Sequence, residues 1–347
     1  MANYLVTGGC GFIGSHLVAA LLEQGHRVRV LDDLSSGSAQ RISTRAQLHI
    51  GNVSDLKTVH GCMQDVDGCY HLAAVSSAHK SGDDWLSSHQ VNLTGSINVL
   101  KAASVRLTPV VYASSASVYG DNANVPLAEH AALRPCSAYA ADKLGTEMHA
   151  RTASLRHGVP TIGLRLFGVY GPGQNPDSPY TGVLSGFIES LMRGESITLP
   201  GDGEQVRDLI HISDVVRFFL AAMGKASLHS QVFNVCSGQT TTLRQVADLL
   251  TRISGSPHPV TFGEPHRGDL RFSVGDPHNS RHFLGLRAEL PIGDGLRMLL
   301  NSMYDRRQEG ATQSSLNHSV RTRSARATDA ACRVFATDPK LPQPASG

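Results

Sequence analysis

Short apolar runs separated by amphipathic stretches fill the first 170 residues. NYLV (3–6), RVRVL (27–31), QLHI (47–50), CYHLA (69–73), VVYAS (110–114) and TIGLRL (161–166) have the length and apolar character of strands. After the first, GSHLVAALLEQG (14–25) carries apolar residues at helical spacing and ends on a glycine suited to a helix C-cap. Strand alternating with helix predicts an α/β fold, a doubly wound parallel sheet covered on both faces.

From about 171 the rhythm loosens. Gly, Pro and Asp cluster at 171–179 and 200–204, and shorter helices are predicted at 181–193 and 213–223. The expected division is a first domain over 1–170, joined by a further strand and helix from about 205–236. A smaller, discontinuous α/β lobe for substrate then spans 171–310. Residues 311–347 are rich in Ser, Thr, Arg and Pro and have no sustained apolar period. They are expected to be a disordered tail, because burial there does not offset the ordering entropy.

Composition narrows the function classes. The chain has 347 residues, 41% hydrophobic and 17% charged, which suits an ordinary globular protein. A net charge of +2 predicts no nucleic-acid or membrane partner. No apolar run reaches the roughly 18 residues of a membrane span. Cys10, Cys62, Cys69, Cys136, Cys236 and Cys332 show no C-x-x-C pairing, and the first residues lack a basic-then-apolar leader. A reduced, cytoplasmic protein is expected. The 17 histidines form neither an H-E-x-x-H pattern nor a Cys/His cluster, so no metal is expected.

The stretch LVTGGCGFIGSHL (5–17) holds Gly9-x-Gly11-x-x-Gly14, overlaid on Gly8-x-x-Gly11-x-x-Gly14. Glycine-rich turns are common, but this one follows a predicted strand and opens a helix. That context lets backbone N–H groups and a helix N-terminus approach a pyrophosphate. The second strand ends in Asp32, 18 residues past Gly14. A carboxylate there accepts from ribose hydroxyls and repels a 2′-phosphate, which predicts NAD rather than NADP.

YAADK places Tyr139 and Lys143 four residues apart on one helical face. A cation beside a phenol stabilises the phenolate and makes it a usable general base. A solvated helix face produces the same spacing, so the pair needs context. ASSASVYG (113–120) supplies it directly after the fifth strand, at the end of the sheet where ligands sit. Ser115 there can bridge a substrate hydroxyl and Tyr139.

Together these segments resemble the extended short-chain dehydrogenase/reductase family, and within it the nucleotide-sugar epimerases and dehydratases. The resemblance covers roughly residues 3–300. It rests on TGGCGFIG, HLAA (71–74), SSASVYG, the Tyr139/Lys143 pair, LRLFGVYGPGQ (164–174), GDGEQVRDLIHISDV (201–215) and RGDLRFSVGD (267–276). It implies a Rossmann domain binding NAD through Gly8, Gly11, Phe12, Ile13, Gly14, Asp32, Asn52, Val53, Leu72, Ala73 and Ala74, together with Tyr139 and Lys143. Ser115, Tyr139 and Lys143 become the catalytic set. Tyr139 takes a proton from the sugar 4-hydroxyl while hydride leaves C4; a 4-epimerase then turns the 4-keto sugar and returns hydride to its other face. Arg207 and Arg267 match positions that hold the substrate diphosphate, with Asp269 accepting from a ribose hydroxyl or bracing Arg267. Ser273 falls where related 4-epimerases have a bulky Tyr or a small residue, beside the sugar C2 substituent. The resemblance also implies a homodimer through helices near 85–106 and 138–157.

Four positions refine this expectation. The dehydratases and decarboxylases that the chain resembles carry an acid in the turn after Ser115, where this chain has Ala116-Ser117. A UDP-hexose 4-epimerase is therefore favoured. The alternatives are another NAD-dependent nucleotide-sugar enzyme (reductase, 4,6-dehydratase or decarboxylase) and a non-catalytic NAD-binding regulator. Asn52 stands where the family usually has Asp for adenine, and Gly168 stands where an Asn commonly contacts the substrate.

Overall fold

The computed structural model describes residues 1–75, 84–174, 182–255, 257–265, 270–305 and 307–308. Strand β1 (Asn3–Thr7) leads through helix α1 (Phe12–Glu23) to β2 (Arg27–Asp32) and β3 (Gln47–Ile50). Helix α2 (Leu56–Met63) returns the chain to β4 (Gly68–His71). Helix α3 (Trp85–His89), a π turn (Gln90–Thr94) and helix α4 (Gly95–Ser104) then precede β5 (Val110–Ser115). Helix α5 (Ala138–His157) leads to β6 (Thr161–Leu166) and the short β7 (Gly168–Tyr170).

The later elements are shorter. Helix α6 (Gly182–Arg193) and strands β8 (Ile197–Pro200), β9 (Val206–Arg207) and β10 (Leu209–His211) precede helix α7 (Ile212–Met223) and β11 (Gln231–Val235). Strand β12 (Thr241–Thr242), helix α8 (Leu243–Ser254), β13 (Val260–Gly263), β14 (Phe272–Ser273) and helix α9 (His278–Leu284) complete the named elements. They all belong to one compact unit, Met1–Leu299. The tail expected to be disordered lies outside the described residues.

Seven strands form one sheet in the order β11-β6-β5-β4-β1-β2-β3, every neighbouring pair parallel. This is the doubly wound α/β arrangement that the alternating pattern predicts. Successive side chains of β1 serve opposite faces: Val6 joins a core with Leu17, Leu21, Phe218 and Phe219 from α1 and α7. Leu5 joins another with Val99, Ala103, Ala150 and Ala153 from α4 and α5. With both faces covered, β4 is buried along its whole length, which is why it reads as an unbroken run and not an alternating one. The order reverses between β1 and β4, and this switch point opens a crevice at their carboxyl ends.

Three small sheets follow: β10 with β7, β13 with β8, and β12-β9-β14. The last is held by Asp208, buried just after β9. Its carboxylate accepts from the Ser237 N–H (2.7 Å), the Ser237 hydroxyl (2.6 Å), the Gly238 N–H (2.9 Å) and the Gly275 N–H (3.3 Å). Four donors satisfy a carboxylate that burial otherwise pushes toward protonation.

Candidate active site

The floor of the crevice is backbone. The Gly8 N–H donates to the Leu31 carbonyl (2.8 Å), tying the loop after β1 to β2. Gly8 adopts φ +69°, and a Cβ on it would stand 2.7 Å from the Ala73 nitrogen. The β1 loop and the HLAA segment therefore meet main chain to main chain. On that segment the Leu72 N–H donates to the Thr7 carbonyl (3.1 Å) and the Ala73 N–H to the Thr7 hydroxyl (3.3 Å), and Ala74 follows, partly buried. Gly14 is equally enclosed, since a Cβ there would lie 2.7 Å from the Gly9 Cα.

Helix α1 starts from Gly11, with no side-chain cap and no acidic residue in its first turn. The N–H groups of Phe12, Ile13 and Gly14 precede the first intrahelical acceptor and point out of the helix end. This arrangement fits a dinucleotide pyrophosphate. At the end of β2, Asp32 is held by two N–H donors, Cys10 on one oxygen (2.9 Å) and Leu34 on the other (2.9 Å). Each oxygen keeps a lone pair for a ribose hydroxyl.

The adjoining loop is equally well defined. Asn52 accepts from the Ser54 N–H (2.8 Å) through Oδ1 and donates to Asp33 Oδ2 (2.8 Å) through Nδ2. Val53 is buried, and the Asn98 amide donates to the carbonyls of Val53 (3.0 Å) and Ser54 (2.8 Å).

Helix α5 begins at Ser137, whose hydroxyl accepts from the Ala140 N–H (3.2 Å). Tyr139 is partly buried in its first turn. Lys143 is fully enclosed, donates to the Ala113 carbonyl of β5 (2.9 Å), and lies 5.6 Å from the Tyr139 ring centroid. Burial pulls this lysine down to about 8, and the Asp142 carboxylate opposes the shift. Ser115 ends β5, two residues after the carbonyl that binds the lysine. Its oxygen accepts from the Ser117 N–H (3.2 Å) and the Ser117 hydroxyl (2.9 Å), so its own proton is directed elsewhere.

A buried network fixes this geometry. Glu147, one turn after Lys143, binds Arg165 of β6 through two hydrogen bonds (2.9 and 2.7 Å) and accepts from the Ser114 hydroxyl. Arg165 also donates to the Tyr119 hydroxyl (2.9 Å), which donates to Asn234 Oδ1 of β11 (2.6 Å). Burial pushes Tyr119 up to about 12, so it remains a donor. Strands β5, β6 and β11 and helix α5 are thereby locked around Ser115 and Lys143.

On the far side, Arg207 and Ser273 are register partners on β9 and β14. Arg207 donates to the Val206 carbonyl (2.9 Å). The Gly168 N–H donates to the Asp208 carbonyl (2.9 Å), and a Cβ on Gly168 would lie 2.8 Å from that oxygen. Backbone therefore occupies the place where a side chain would start. Arg267 and Asp269 lie outside the described residues. Among the described residues no cluster of His, Cys, Asp or Glu is arranged to hold a metal ion, and no helix is long and apolar enough to cross a membrane.

Sequence reasoning missed several polar residues beside the site. His71 bridges the Thr7 hydroxyl (2.7 Å) and the Ser96 hydroxyl (2.9 Å), and Thr146 of α5 donates to the same Ser96 oxygen (3.1 Å). Burial pulls His71 down to about 3, so it is a neutral link between the β1 loop and helix α5. Asn92, in the π turn, accepts from the Val75 N–H (2.8 Å) and donates to its carbonyl (3.2 Å), holding the chain just beyond HLAA. His89 meets Asp142 at 2.8 Å. His71 lies inside a recognised motif and Asp142 beside Lys143, whereas nothing in the sequence signals the π turn.

The family model described as "NAD dependent epimerase/dehydratase family" matches residues 4–236. The UDP-glucose 4-epimerase of Mycolicibacterium smegmatis is 35% identical over 306 residues, 84% of this chain and 95% of that protein. A UDP-N-acetyl-alpha-D-glucosaminuronate decarboxylase of Bacillus cytotoxicus is 29% identical, over 74% of this chain and 81% of its own. The crystal structure of Thermotoga maritima UDP-glucose 4-epimerase with UDP-glucose superposes at TM-score 0.84 and 33% identity, covering 88% of this chain and 99% of that one. A UDP-N-acetylglucosamine 4-epimerase from Methanobrevibacter ruminantium, in complex with UDP-N-acetylmuramic acid, gives 0.83 and 29%, over 88% and 99%. Thermus thermophilus UDP-glucose 4-epimerase in complex with NAD gives 0.80 and 31%, over 86% and 98%.

Proposed function

Because this chain belongs to the NAD dependent epimerase/dehydratase family, with NAD as its cofactor, we propose that it is a UDP-hexose 4-epimerase. The observation that carries this choice is the turn after Ser115. Ala116 and Ser117 offer no carboxyl group to move protons at C5 or C6, and the Ser117 hydroxyl is already committed to Ser115. Elimination of water across C5 and C6 needs such a group, so it is disfavoured.

Gly8, Gly11 and the first turn of α1 hold the cofactor pyrophosphate, and Asp32 holds its ribose. The bound cofactor supplies reversible hydride transfer at the sugar C4. Tyr139 takes the 4-hydroxyl proton and later returns it. Lys143 stabilises the phenolate, and Ser115 donates to the sugar oxygen as charge builds there. Arg207, with Arg267, grips the diphosphate, which suits guanidinium geometry and leaves the hexose able to turn. Ser273, beside Arg207, leaves room at C2 for either a hydroxyl or an acetamido group. The substrates proposed are UDP-GlcNAc and UDP-GalNAc, alongside UDP-Glc and UDP-Gal.

The assembly proposed is a homodimer. Met148 and Leu155 of α5 are strongly exposed, and α3 exposes Trp85 and Leu86. Such a face suits a helical interface between two copies. Light scattering at micromolar protein checks it, and a monomeric mass refutes it. The five described cysteines are free thiols, in keeping with the reducing cytoplasm proposed as its location.

NMR of products from a panel of UDP- and dTDP-sugars, including UDP-glucuronate, tests the reaction. A 4-epimer with no net change in reduced-cofactor absorbance is expected. A deoxy-keto sugar, a pentose or net cofactor turnover would replace this reading with dehydratase, decarboxylase or reductase.

A further inference from the structure

At the amino ends of the central strands, opposite the crevice, lies a cavity of about 350 Å³ between α1 and α7. Tyr4 of β1, Tyr70 of β4 and His26 just before β2 supply its rings. Tyr4 meets His26 edge-on at 5.1 Å between centroids and Tyr70 at 5.4 Å. Gly68 faces Tyr4 across the β1–β4 pair, and a Cβ on it would stand 2.7 Å from the Met223 sulfur and 3.1 Å from the Tyr4 ring. The bare glycine therefore lets the end of α7 close on Tyr4. Leu21 of α1 and Leu220 of α7 add aliphatic surface.

Among the described residues lining this cavity, the one charged side chain is Asp67, exposed at its rim. Its Oδ2 accepts from the Asn3 N–H (2.7 Å), which anchors the carboxylate. The Ala2 N–H donates to His26 Nδ1 (3.2 Å), so this nitrogen is an acceptor and the ring is uncharged. The last turn of α7 has no basic residue, and Lys225 beyond it lies over the Phe283 ring (5.9 Å). The end of α1 is covered by Arg45, which donates to the Leu22 carbonyl (2.9 Å), so the open negative helix end is that of α7. Ring faces, a carboxylate and a helix C-terminus all attract positive charge. We propose that this cavity binds a small primary alkylammonium ion, its head between Asp67 and the tyrosine rings and its stem along Leu21, Leu220 and Met223. The volume lies at the low end of the roughly 300–1,000 Å³ of small-molecule sites, which suits a ligand of a few carbons. The site lies on the α1/α7 side of the sheet, away from the α3 and α5 face of the proposed dimer, and does not depend on the proposed reaction.

The test uses the NAD-loaded full chain, with n-butylammonium chloride as the probe and n-butanol as its neutral counterpart, at matched ionic strength. Calorimetry and ligand-observed NMR read the binding. Saturable binding of butylammonium is expected, with butanol at least about tenfold weaker, because charge is what the rings and the carboxylate recognise. Asp67→Asn keeps an acceptor for the Asn3 N–H and removes the charge, and should weaken butylammonium by at least about tenfold. Gln24→Lys, at the exposed C-cap of α1, puts a competing ammonium at the rim and should weaken it as much. If Asp67→Asn does not fold, Gln24→Lys decides, since a cation at that helix end favours the fold. Equal binding of butylammonium and butanol overturns the proposal, as does the absence of saturable butylammonium binding in the millimolar range. Binding that neither variant weakens places the ammonium elsewhere and overturns it too.

Discussion

The β1–α1–β2 unit and the β12-β9-β14 sheet hold opposite ends of the proposed reaction and are built in different ways. The first is contiguous, with long parallel pairing: five residues of β1 align with β2, and the turn between them presents N–H groups and glycine surfaces. The second joins three two-residue strands from distant parts of the chain, anchored by one buried carboxylate that gathers four donors. Backbone recognition suits a cofactor that stays the same through every cycle. Side chains on short strands suit a substrate, because one substitution there alters the pocket without disturbing the main sheet. Helix α5 belongs to the cofactor side, since its lysine and Glu147 bind β5 and β6 directly.

The sharpest way to separate these functions is Tyr139→Phe. It removes the proposed general base and leaves the glycine turn and Asp32 intact. Turnover should fall by about 10²–10⁴-fold, with NAD still bound after gel filtration. Near-normal epimerisation would remove Tyr139 from the mechanism, and loss of NAD would show that the two functions are not separable.

Gly8→Ala attacks the backbone side. The new Cβ would meet the Ala73 nitrogen at 2.7 Å, in a left-handed conformation that costs an ordinary residue about 1–2 kcal/mol. Lower NAD affinity and a melting temperature reduced by several degrees are expected, followed by calorimetry with and without added NAD. An unchanged affinity would mean that the β1 and β4 loops separate easily and do not set the cofactor's place.

The same contrast explains what the sequence disclosed. The β1–Gly8–α1 unit was legible because its requirements are local: an apolar run, glycines at close spacing, and an acid one strand later. Tyr139 and Lys143 were legible because one helical turn relates them. The register of Ser273 with Arg207 left no pattern, since two-residue strands are too short to show one. His89 and Asp142 lie 53 residues apart, and only the packing of α3 on α5 joins them. Gly168 read as standing in place of a substrate-contacting Asn; the structure adds that the Asp208 carbonyl fills the space a side chain would need.

Ser273→Tyr probes the substrate side alone. If Ser273 borders the C2 substituent, a phenol ring in its place excludes an acetamido group and still admits a hydroxyl. The kcat/KM for UDP-GlcNAc should fall by at least about tenfold more than that for UDP-Glc, a difference of about 1.4 kcal/mol in transition-state binding. NAD binding should not change. Equal losses on both substrates would sink the gate, and lost NAD would break the division between the two regions.

The smallest effect is expected from Asn52→Asp, at the rim of the cofactor side. Asn52 Nδ2 donates to Asp33 Oδ2 at 2.8 Å, while its Oδ1 accepts from the Ser54 N–H. An aspartate keeps the second bond but turns the first into a contact between two carboxylates. Asparagine at 52 is therefore matched to the aspartate at 33, which accounts for a departure that the sequence left unexplained. Asp33 is exposed and Asn52 only partly buried, so the repulsion is worth about 1 kcal/mol or less and is screened by salt. NAD affinity or melting temperature should drop slightly at low ionic strength and recover in high salt. Asp33→Asn in the Asn52→Asp background should restore it at any ionic strength by putting an amide back on the other side. A loss indifferent to salt and to the second substitution would place the cause at the adenine itself.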